Sequence, residues 1–134
     1  MSKNIMKYLE NDRFAALAGI KLVEVKPGYA KANMKITDDH LNAVNIVQGG
    51  AIFTLADFAF AAASNSYGQV SLGINANISF FRPPKGNILI AEAKELSSSK
   101  KIGNYNVDIL DEDGEIIARF NGIVYKKKDE IKID

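Results

Sequence analysis

The residues best suited to chemistry lie at the start of one apolar segment. Two adjacent glycines, Gly49 and Gly50, begin a run rich in Ala, Leu and Phe that predicts a helix over residues 48–64. Glycines leave the first N–H groups of a helix without side-chain cover, so those groups can bind an anion or a polarised carbonyl oxygen. The same segment carries a single charge, Asp57. Amide donors and a carboxylate on one helix together predict a functional site.

Asp57 is expected to be buried, because the segment is apolar nearly all round. A buried carboxylate is costly unless it is paired, hydrogen-bonded or protonated. Two alternatives need no functional site. Asp57 could be a hydrogen-bonded acid in the core or at an interface, and the two glycines could form only a tight turn. If both groups act in catalysis, the amides stabilise an oxyanion while Asp57 serves as nucleophile or as general base for water. That chemistry suits an activated acyl compound such as a thioester.

The composition argues against several other chemistries. The 134 residues include no cysteine and one histidine, and the formal net charge is +1. Disulfides, thiolate metal sites and a Cys nucleophile are therefore excluded, a serine-hydrolase triad is poorly supported, and no nucleic-acid surface is indicated. No glycine-rich phosphate loop is present, and the neighbours Asp38, Asp39 and His40 lack a matching set of metal ligands. We expect neither a metal nor a cofactor.

The chain is expected to be a single cytoplasmic domain spanning residues 1–134. Its length suits one core, and 47% hydrophobic with 25% charged residues is ordinary for a globular protein. Residues 1–6 lack the apolar stretch of a signal peptide. The central helix is interrupted by Asp57, and its apolar run is shorter than the roughly 20 residues that a bilayer requires. We therefore predict no membrane association.

The elements that must position the site are one long helix and a set of hairpins. Hairpins imply a mainly antiparallel sheet, and one face of that sheet can cover the central helix in an α+β domain. Alternate residues from Leu72 to Phe80 are expected to pack on the helix. Residues 4–18 predict a short amphipathic helix, with a kink or cap at Asn11-Asp12 as the alternative to a continuous one. Its apolar face would consist of Ile5, Met6, Leu9, Phe14 and Leu17. Residues 126–134 predict a charged, frayed tail. The predicted strands span residues 20–25, 29–36, 70–81, 87–97, 101–110 and 116–125.

Several motifs along the chain match one family. His40-Leu41-Asn42, the segment Gln48–Asp57, Asn65-Ser66 and Phe81-Arg82-Pro83 resemble the hotdog-fold acyl-CoA thioesterases of the PaaI (phenylacetate-pathway) type, within the 4-hydroxybenzoyl-CoA thioesterase-like superfamily. Members of that family have an Asn six residues before a His-Gly-Gly and an Asp nine residues after the His. The resemblance implies the hotdog fold, an antiparallel sheet of five to six strands wrapped round a long central helix.

The resemblance also implies roles for individual residues. Asp57 matches the catalytic carboxylate, the Gly49 N–H matches the group that polarises the thioester carbonyl, and Asn42 matches a residue that places water or substrate. Gln48 stands where many members have His, and it cannot titrate as His does. Family members form dimers with sites built from two chains, usually paired into tetramers. A homodimer and a homotetramer are therefore expected, with Asp57 facing the helix terminus of the partner subunit.

The predicted function is hydrolysis of an acyl-CoA to free acid and CoA, with CoA entering as part of the substrate. Substrate contacts are predicted at Gly50, Ser66, Arg82 and Lys100, the two cations serving the phosphates of CoA. For Ser66 the alternative is that it caps the end of the central helix together with Asn65. His40 is expected to be structural. A non-catalytic acyl-CoA-binding or regulatory protein is the alternative, and a hydratase on the same fold would need an Asp/His pair that the sequence lacks. Aromatic, short-chain and medium-chain acyl groups all fit the prediction.

Overall fold

The computed structural model describes residues 3–132, and it confirms the predicted α+β class. Six antiparallel strands form one sheet in the order β1-β2-β4-β5-β6-β3, and one long helix contacts every strand of it. The order along the chain is α1 (Lys3–Leu9), α2 (Arg13–Leu17), β1 (Ile20–Lys26), β2 (Tyr29–Lys35), a 3-10 turn (Asp38–His40), α3 (Gly49–Ser64), β3 (Gln69–Phe80), β4 (Ile88–Ser98), β5 (Ile102–Leu110) and β6 (Ile116–Glu130).

Small side chains allow α3 to lie close against the centre of the sheet. The paired residues of β2 and β4 that enter the core are fully buried, and most are alanine. The residues of α3 that are fully buried are also mostly alanine, so helix and sheet approach closely and their apolar faces leave little void. These pairs are Ala30–Ala93, Ala32–Ala91 and Met34–Leu89, and the fully buried residues of α3 are Leu55, Ala56, Ala59, Ala62 and Ala63.

Phe60 anchors α3 against β5 and β6. The centre of its ring lies 5.9 Å from that of Tyr105 and 5.3 Å from that of Phe120. A Cβ added at Gly122 would lie 2.6 Å from atoms of the Phe60 ring, so glycine is required at this point of β6. The contact holds α3 at a defined position on the sheet, which determines where its first turn and Asp57 lie.

The N-terminal region is two short helices, so the prediction of one continuous amphipathic helix over residues 4–18 is wrong, whereas the alternative of a cap at Asn11-Asp12 agrees with the structure. The break falls at Asp12, whose Oδ1 accepts a hydrogen bond from the N–H of Ala15 and so caps α2. Phe14 and Leu17, which were expected on the buried face, are 65% and 84% exposed. The cap turns α2 in a new direction and leaves these two side chains outside the core.

The prediction for β3 is also partly wrong. Leu72, Ile74 and Phe80 are each more than half exposed, whereas Ile78 packs against the core. The cause is the position of β3 at the edge of the sheet, where it pairs with β6 on one side. Because α3 lies mainly over β2, β4 and β5, it covers only a small part of β3.

The predicted frayed tail belongs to β6 over most of its length. β6 continues to Glu130, where it pairs with Gln69, and the N–H of Ile131 donates to the carbonyl oxygen of Gly68 (2.7 Å). The prediction is therefore wrong for residues 126–131, because pairing with β3 satisfies their backbone groups. Residues 133–134 lie outside the described range.

Candidate active site

The first turn of α3 leaves two backbone N–H groups available. Gln48 is the N-cap, and its carbonyl oxygen accepts hydrogen bonds from the N–H groups of Ala51 (3.0 Å) and Ile52 (3.3 Å). Within residues 3–132, the N–H groups of Gly49 and Gly50 reach no hydrogen-bond acceptor. They carry the positive end of the helix dipole, and such groups hold carbonyl oxygens and oxyanions. We refer to them below as the available N–H groups.

Both glycines are closely approached by side chains. A Cβ at Gly49 would lie 3.1 Å from the ring of Phe80, and a Cβ at Gly50 would lie 2.6 Å from Oε1 of Gln48. The Gln48 side chain is exposed and caps no N–H group of α3. The side-chain oxygen of Gln48 therefore lies beside Gly50 without capping the helix.

Asn42 shapes the loop that leads into α3. Its Oδ1 accepts hydrogen bonds from the N–H groups of Val44 (3.0 Å) and Ile46 (3.2 Å), and its own N–H donates to the carbonyl oxygen of Ile46 (2.8 Å). Within this turn Asn45 has a φ of 60°, a left-handed conformation that Gly and Asn adopt most easily. The side-chain oxygen of Asn42 is thus committed to the loop, which leaves its NH₂ group for the predicted contact with water or substrate.

His40 fastens the same loop to the N-terminal helices. Its Nδ1 accepts a hydrogen bond from the N–H of Thr37 (2.9 Å), so the proton lies on Nε2, which donates to the carbonyl oxygen of Ala18 (2.7 Å). The His40 carbonyl oxygen accepts a further bond from the N–H of Gln48 (2.8 Å). Both ring nitrogens are used to hold backbone, which agrees with the structural role predicted for this residue.

A cleft of about 620 Å³ lies beside the first turn of α3, within the size range of small-molecule sites. One wall is formed by α3 and the other by α2, and the 3-10 turn and the following loop complete the lining. The sequence did not predict the α2 wall, because the spacing of Phe14 and Leu17 fits a buried helical face as well as an exposed one. The residue that indicates a separate helix is the capping Asp12 just before them. The two walls consist of Gly50, Ala51 and Thr54 and of Phe14, Leu17 and Ala18.

Asp57 is exposed in the single chain, so the prediction that it is buried is wrong. One stripe of α3, with Gly50, Thr54 and Asp57 at helical spacing, faces away from the sheet. Nearby protein still removes part of the water around the carboxyl. This desolvation, followed by the negative charge of Asp12, raises the pKa of Asp57. A raised pKa suits a carboxylate that accepts a proton during catalysis.

Gly49 and Asp57 do not meet within one chain. They are eight residues apart on the same helix, a rise of about 12 Å at 1.5 Å per residue. A carbonyl oxygen held by the Gly49 N–H is therefore out of reach of Asp57 from the same chain. A site that uses both groups requires a second chain.

Ser66 is a structural residue, and its prediction as a substrate contact is wrong. It is fully buried just after α3. Its hydroxyl donates to the carbonyl oxygen of Ala63 (2.6 Å) and accepts from the N–H of Gly28 (2.9 Å). The hydroxyl thus joins the end of the long helix to the β1–β2 hairpin and is enclosed away from any cleft.

Arg82 and Lys100 lie at opposite ends of the β3 edge. Arg82 follows β3 and forms an ion pair with Glu115 (2.9 Å). Lys100 is exposed in the β4–β5 turn. This turn contacts Lys126 of β6 through the carbonyl oxygen of Lys101, and Lys126 pairs with Ser71 at the start of β3. The intervening strand is roughly 30 Å long at 3.3 Å per residue. One chain therefore does not bring these two cations to a common phosphate site.

The residues that the structure describes also bear on metal sites and membrane spans. Across residues 3–132, no three His, Asp or Glu side chains are grouped as metal ligands would be. No helix in that range has the length and apolar character needed to cross a membrane.

Comparisons with known proteins agree with this fold. The family model described as the thioesterase superfamily matches residues 44–118. A putative esterase of Archaeoglobus fulgidus is 38% identical over 128 residues, covering 94% of this chain and 83% of its own. The acyl-coenzyme A thioesterase PaaI of Escherichia coli is 34% identical over 121 residues, covering 90% of this chain and 86% of its own.

The solved structure of the E. coli PaaI protein from the phenylacetic acid degradation operon aligns with a TM-score of 0.91 at 31% identity. The alignment covers 97% of this chain and 95% of that one. The predicted resemblance and the hotdog fold are thereby confirmed. The chain belongs to the thioesterase superfamily and is a thioester hydrolase.

Proposed function

We propose that this protein hydrolyses an acyl-CoA to the free acid and CoA. The observation that carries the proposal is the pair of available N–H groups at Gly49 and Gly50, next to a cleft of about 620 Å³. The similarity to an acyl-coenzyme A thioesterase supports CoA as the thiol part of the substrate. In the reaction the oxygen of water becomes bonded to the carbonyl carbon, the C–S bond breaks, and CoA leaves as the thiol after taking a proton.

Each site residue has a distinct part in this proposal. The available N–H groups hold the carbonyl oxygen and stabilise the oxyanion that develops on it. Asp57 either activates the water or attacks the carbonyl carbon itself. Gln48 offers its amide beside Gly50, and the NH₂ group of Asn42 helps to place the water. Gln48 orients groups in this scheme and moves no proton.

The carboxylate in each site is supplied by Asp57 of the partner subunit. In a two-fold dimer, a contact from residue 49 to residue 57 is repeated from 57 to 49, so two antiparallel α3 helices would cross near residue 53, halfway between them. The long edge strand β3, with Leu72, Ile74 and Phe80 exposed, offers the surface on which a second copy can pair. A homodimer is the smallest assembly with complete sites, and a homotetramer of two dimers is expected from the resemblance.

The first experiment is thiol release from a panel of CoA esters by wild type and Asp57→Asn. The variant should keep the fold, and its kcat should fall at least ~100-fold, the low end for losing a general base. Asp113→Asn, at an exposed turn position, is the matched control and should retain wild-type activity. Wild-type turnover by Asp57→Asn would remove this residue from the mechanism. Stoichiometric binding of CoA esters without thiol release, in the wild type, would favour the non-catalytic alternative.

A mixing experiment tests whether the site is shared between chains. Gly49→Pro removes one available N–H group. Proline is tolerated at this first helical position. The preceding residue, Gln48, already has a backbone conformation compatible with a following proline, with φ −66° and ψ 139°. Gly49→Pro and Asp57→Asn should each be inactive alone. After joint refolding, random pairing should restore roughly a quarter of the wild-type sites, because one site of each mixed two-fold dimer is intact. A mixture as inactive as its components contradicts the shared site.

A further inference from the structure

The short helix α2 presents two large apolar side chains that the core does not use. Phe14 is 65% exposed and Leu17 is 84% exposed, while Ala15 is the buried residue of the helix. Three residues apart, Phe14 and Leu17 lie on one face of the helix. Leaving such side chains in water forgoes the free energy that burial would provide. A ligand that covered Phe14 and Leu17 would therefore be stabilised by the contact.

That face of α2 forms one wall of the cleft at the first turn of α3. Phe14 and Leu17 stand across it from Gly50 and Ala51. Gly50 bears one of the available N–H groups, so a single cavity extends from the amides to the apolar wall. A group attached to a carbonyl held at those amides therefore has a continuous path along α2.

The cleft is also selective in charge. No cationic side chain is found in the part of its lining that the structure describes, and Asp39 places a carboxylate there. His40 also lines it, but both of its ring nitrogens are engaged with backbone groups, the N–H of Thr37 and the carbonyl oxygen of Ala18. A carboxylate carried by the occupant would lose water and meet a like charge, so the cleft disfavours anionic occupants.

The wall is held in place by hydrogen bonds at both ends of α2. Asp12 Oδ1 accepts from the N–H of Ala15 (3.0 Å) at the start, and His40 Nε2 donates to the carbonyl oxygen of Ala18 (2.7 Å) at the end. A helix of five residues has little stability by itself. These two bonds therefore make α2 a fixed surface against which the size of a bound group can be measured.

We propose that the cleft receives the acyl group of the thioester, and that Phe14 and Leu17 determine specificity for neutral, apolar acyl groups. The inference rests on the proposed function, because the carbonyl must sit at the available N–H groups for the acyl group to lie along α2. Medium-chain and aryl groups cover Phe14 and Leu17, whereas an acetyl group is too short to reach them. An acyl group that ends in a carboxylate is rejected.

The test compares wild type, Phe14→Ala, Leu17→Ala and the control Leu96→Ala, which truncates a leucine that is 61% exposed on β4. Substrates are acetyl-, octanoyl-, phenylacetyl- and succinyl-CoA. The two cleft variants should lose about 10-fold or more in kcat/KM for octanoyl- and phenylacetyl-CoA, the scale of a lost apolar pocket contact, with acetyl-CoA unchanged. Leu96→Ala should match wild type. Succinyl-CoA should have the lowest kcat/KM of the four esters, although its acyl chain is longer than that of acetyl-CoA.

Three results would overturn the inference. One is an unchanged acyl preference in both cleft variants, and another is an equal loss for all esters, including acetyl-CoA. The third is a change of native mass in the cleft variants, which would make Phe14 and Leu17 interface residues. If the wild type releases thiol from no ester, the proposed function fails, and binding of non-hydrolysable ketone analogues of acetyl- and octanoyl-CoA, in which CH₂ replaces the thioester sulfur and the carbonyl is kept, still decides the inference. Only the octanoyl analogue should bind more weakly to Leu17→Ala.

Discussion

The Nε2 atom of His40 donates a hydrogen bond to the carbonyl oxygen of Ala18 across 2.7 Å. Ala18 is the C-cap of α2, and His40 ends the 3-10 turn that precedes the loop into α3. This bond therefore joins the α2 wall of the cleft to the 3-10 turn that completes its lining. The only histidine of the sequence thus contributes to the site as a clamp on its walls.

His40→Ala should weaken both the fold and substrate binding. The change removes the bonds to Thr37 and Ala18, and at about 0.5–1.5 kcal/mol each the expected loss is roughly 1–3 kcal/mol. With the α2 wall released, KM should rise more than kcat falls. Urea unfolding and steady-state kinetics measure the two effects. Asp38→Ala, at an exposed neighbour in the same turn, is the control; equal effects from both variants would contradict the clamp.

Gln48→His should retain activity. The Gln48 side chain caps no N–H of α3 and lies beside Gly50, where an imidazole can also offer a hydrogen-bond donor. We expect kcat/KM within about 10-fold of wild type, a cost below roughly 1.4 kcal/mol. Gln48→Ala, which has no donor, should be the weaker of the two in the thiol-release assay. Complete loss of activity in Gln48→His would show that this position does more than orient groups.

Asp57→Asn should make the protein slightly more stable at neutral pH. The raised pKa of Asp57, caused by desolvation and then by Asp12, means that the folded chain disfavours the ionised carboxyl. This penalty is absent below the unfolded-state pKa of about 3.9, grows as the pH rises through it, and is complete above the folded-state pKa. The gain in Tm should be small, because solvent screens an exposed carboxyl.

Thermal unfolding at neutral pH and near pH 3 measures this difference. The variant should have the higher Tm at neutral pH and the same Tm as wild type in acid. A variant that is less stable than wild type at neutral pH would mean that the Asp57 carboxylate has a stabilising partner in the assembled protein.

Asp111→Ala should destabilise the β5–β6 hairpin and the segment before β4. Asp111 is buried, and its carboxylate accepts hydrogen bonds from the N–H groups of Lys85 (3.1 Å), Asp113 (3.0 Å) and Glu115 (3.1 Å). The bond from Lys85 is the chief reason that the pKa of Asp111 is lowered. The stabilisation of the fold by the ionised Asp111 carboxylate is therefore present above the unfolded-state pKa of about 3.9, and it is lost as the pH falls through the folded-state pKa.

The Tm of Asp111→Ala should fall by several degrees at neutral pH, and the gap should narrow in acid. Asp113→Ala serves as the control, because that side chain is exposed in the same turn. An Asp111→Ala curve that parallels wild type at all pH values, with a constant offset, would contradict the charge-dependent part of this prediction.

Much of the fold could be predicted because it depends on neighbours in sequence. The central helix was expected to begin at the glycine pair, and it begins at Gly49. A strand was predicted over residues 29–36, and within it the alternating residues Ala30, Ala32 and Met34 are fully buried. Local backbone preferences and a repeating apolar pattern suffice for such elements.

The errors fall where burial depends on distant parts of the chain. Leu17 and Phe80 have the side chains of core residues, yet α2 and β3 lie at the periphery. Ser66 looked available and is enclosed by the β1–β2 hairpin. Residues 126–130 look like part of a tail, but they continue β6, which pairs with β3. In each case the outcome depends on which element lies across from the residue.

The sequence by itself determined the helix, the strands, the glycine pair at the helix start and the family to which the motifs belong, because spacing and composition encode these directly. Only the tertiary structure decided that α2 faces the cleft, that His40 clamps it, and that Asp57 is exposed about 12 Å from the Gly49 amide along the helix. Exposure and distance arise from packing between remote segments, which no local pattern specifies.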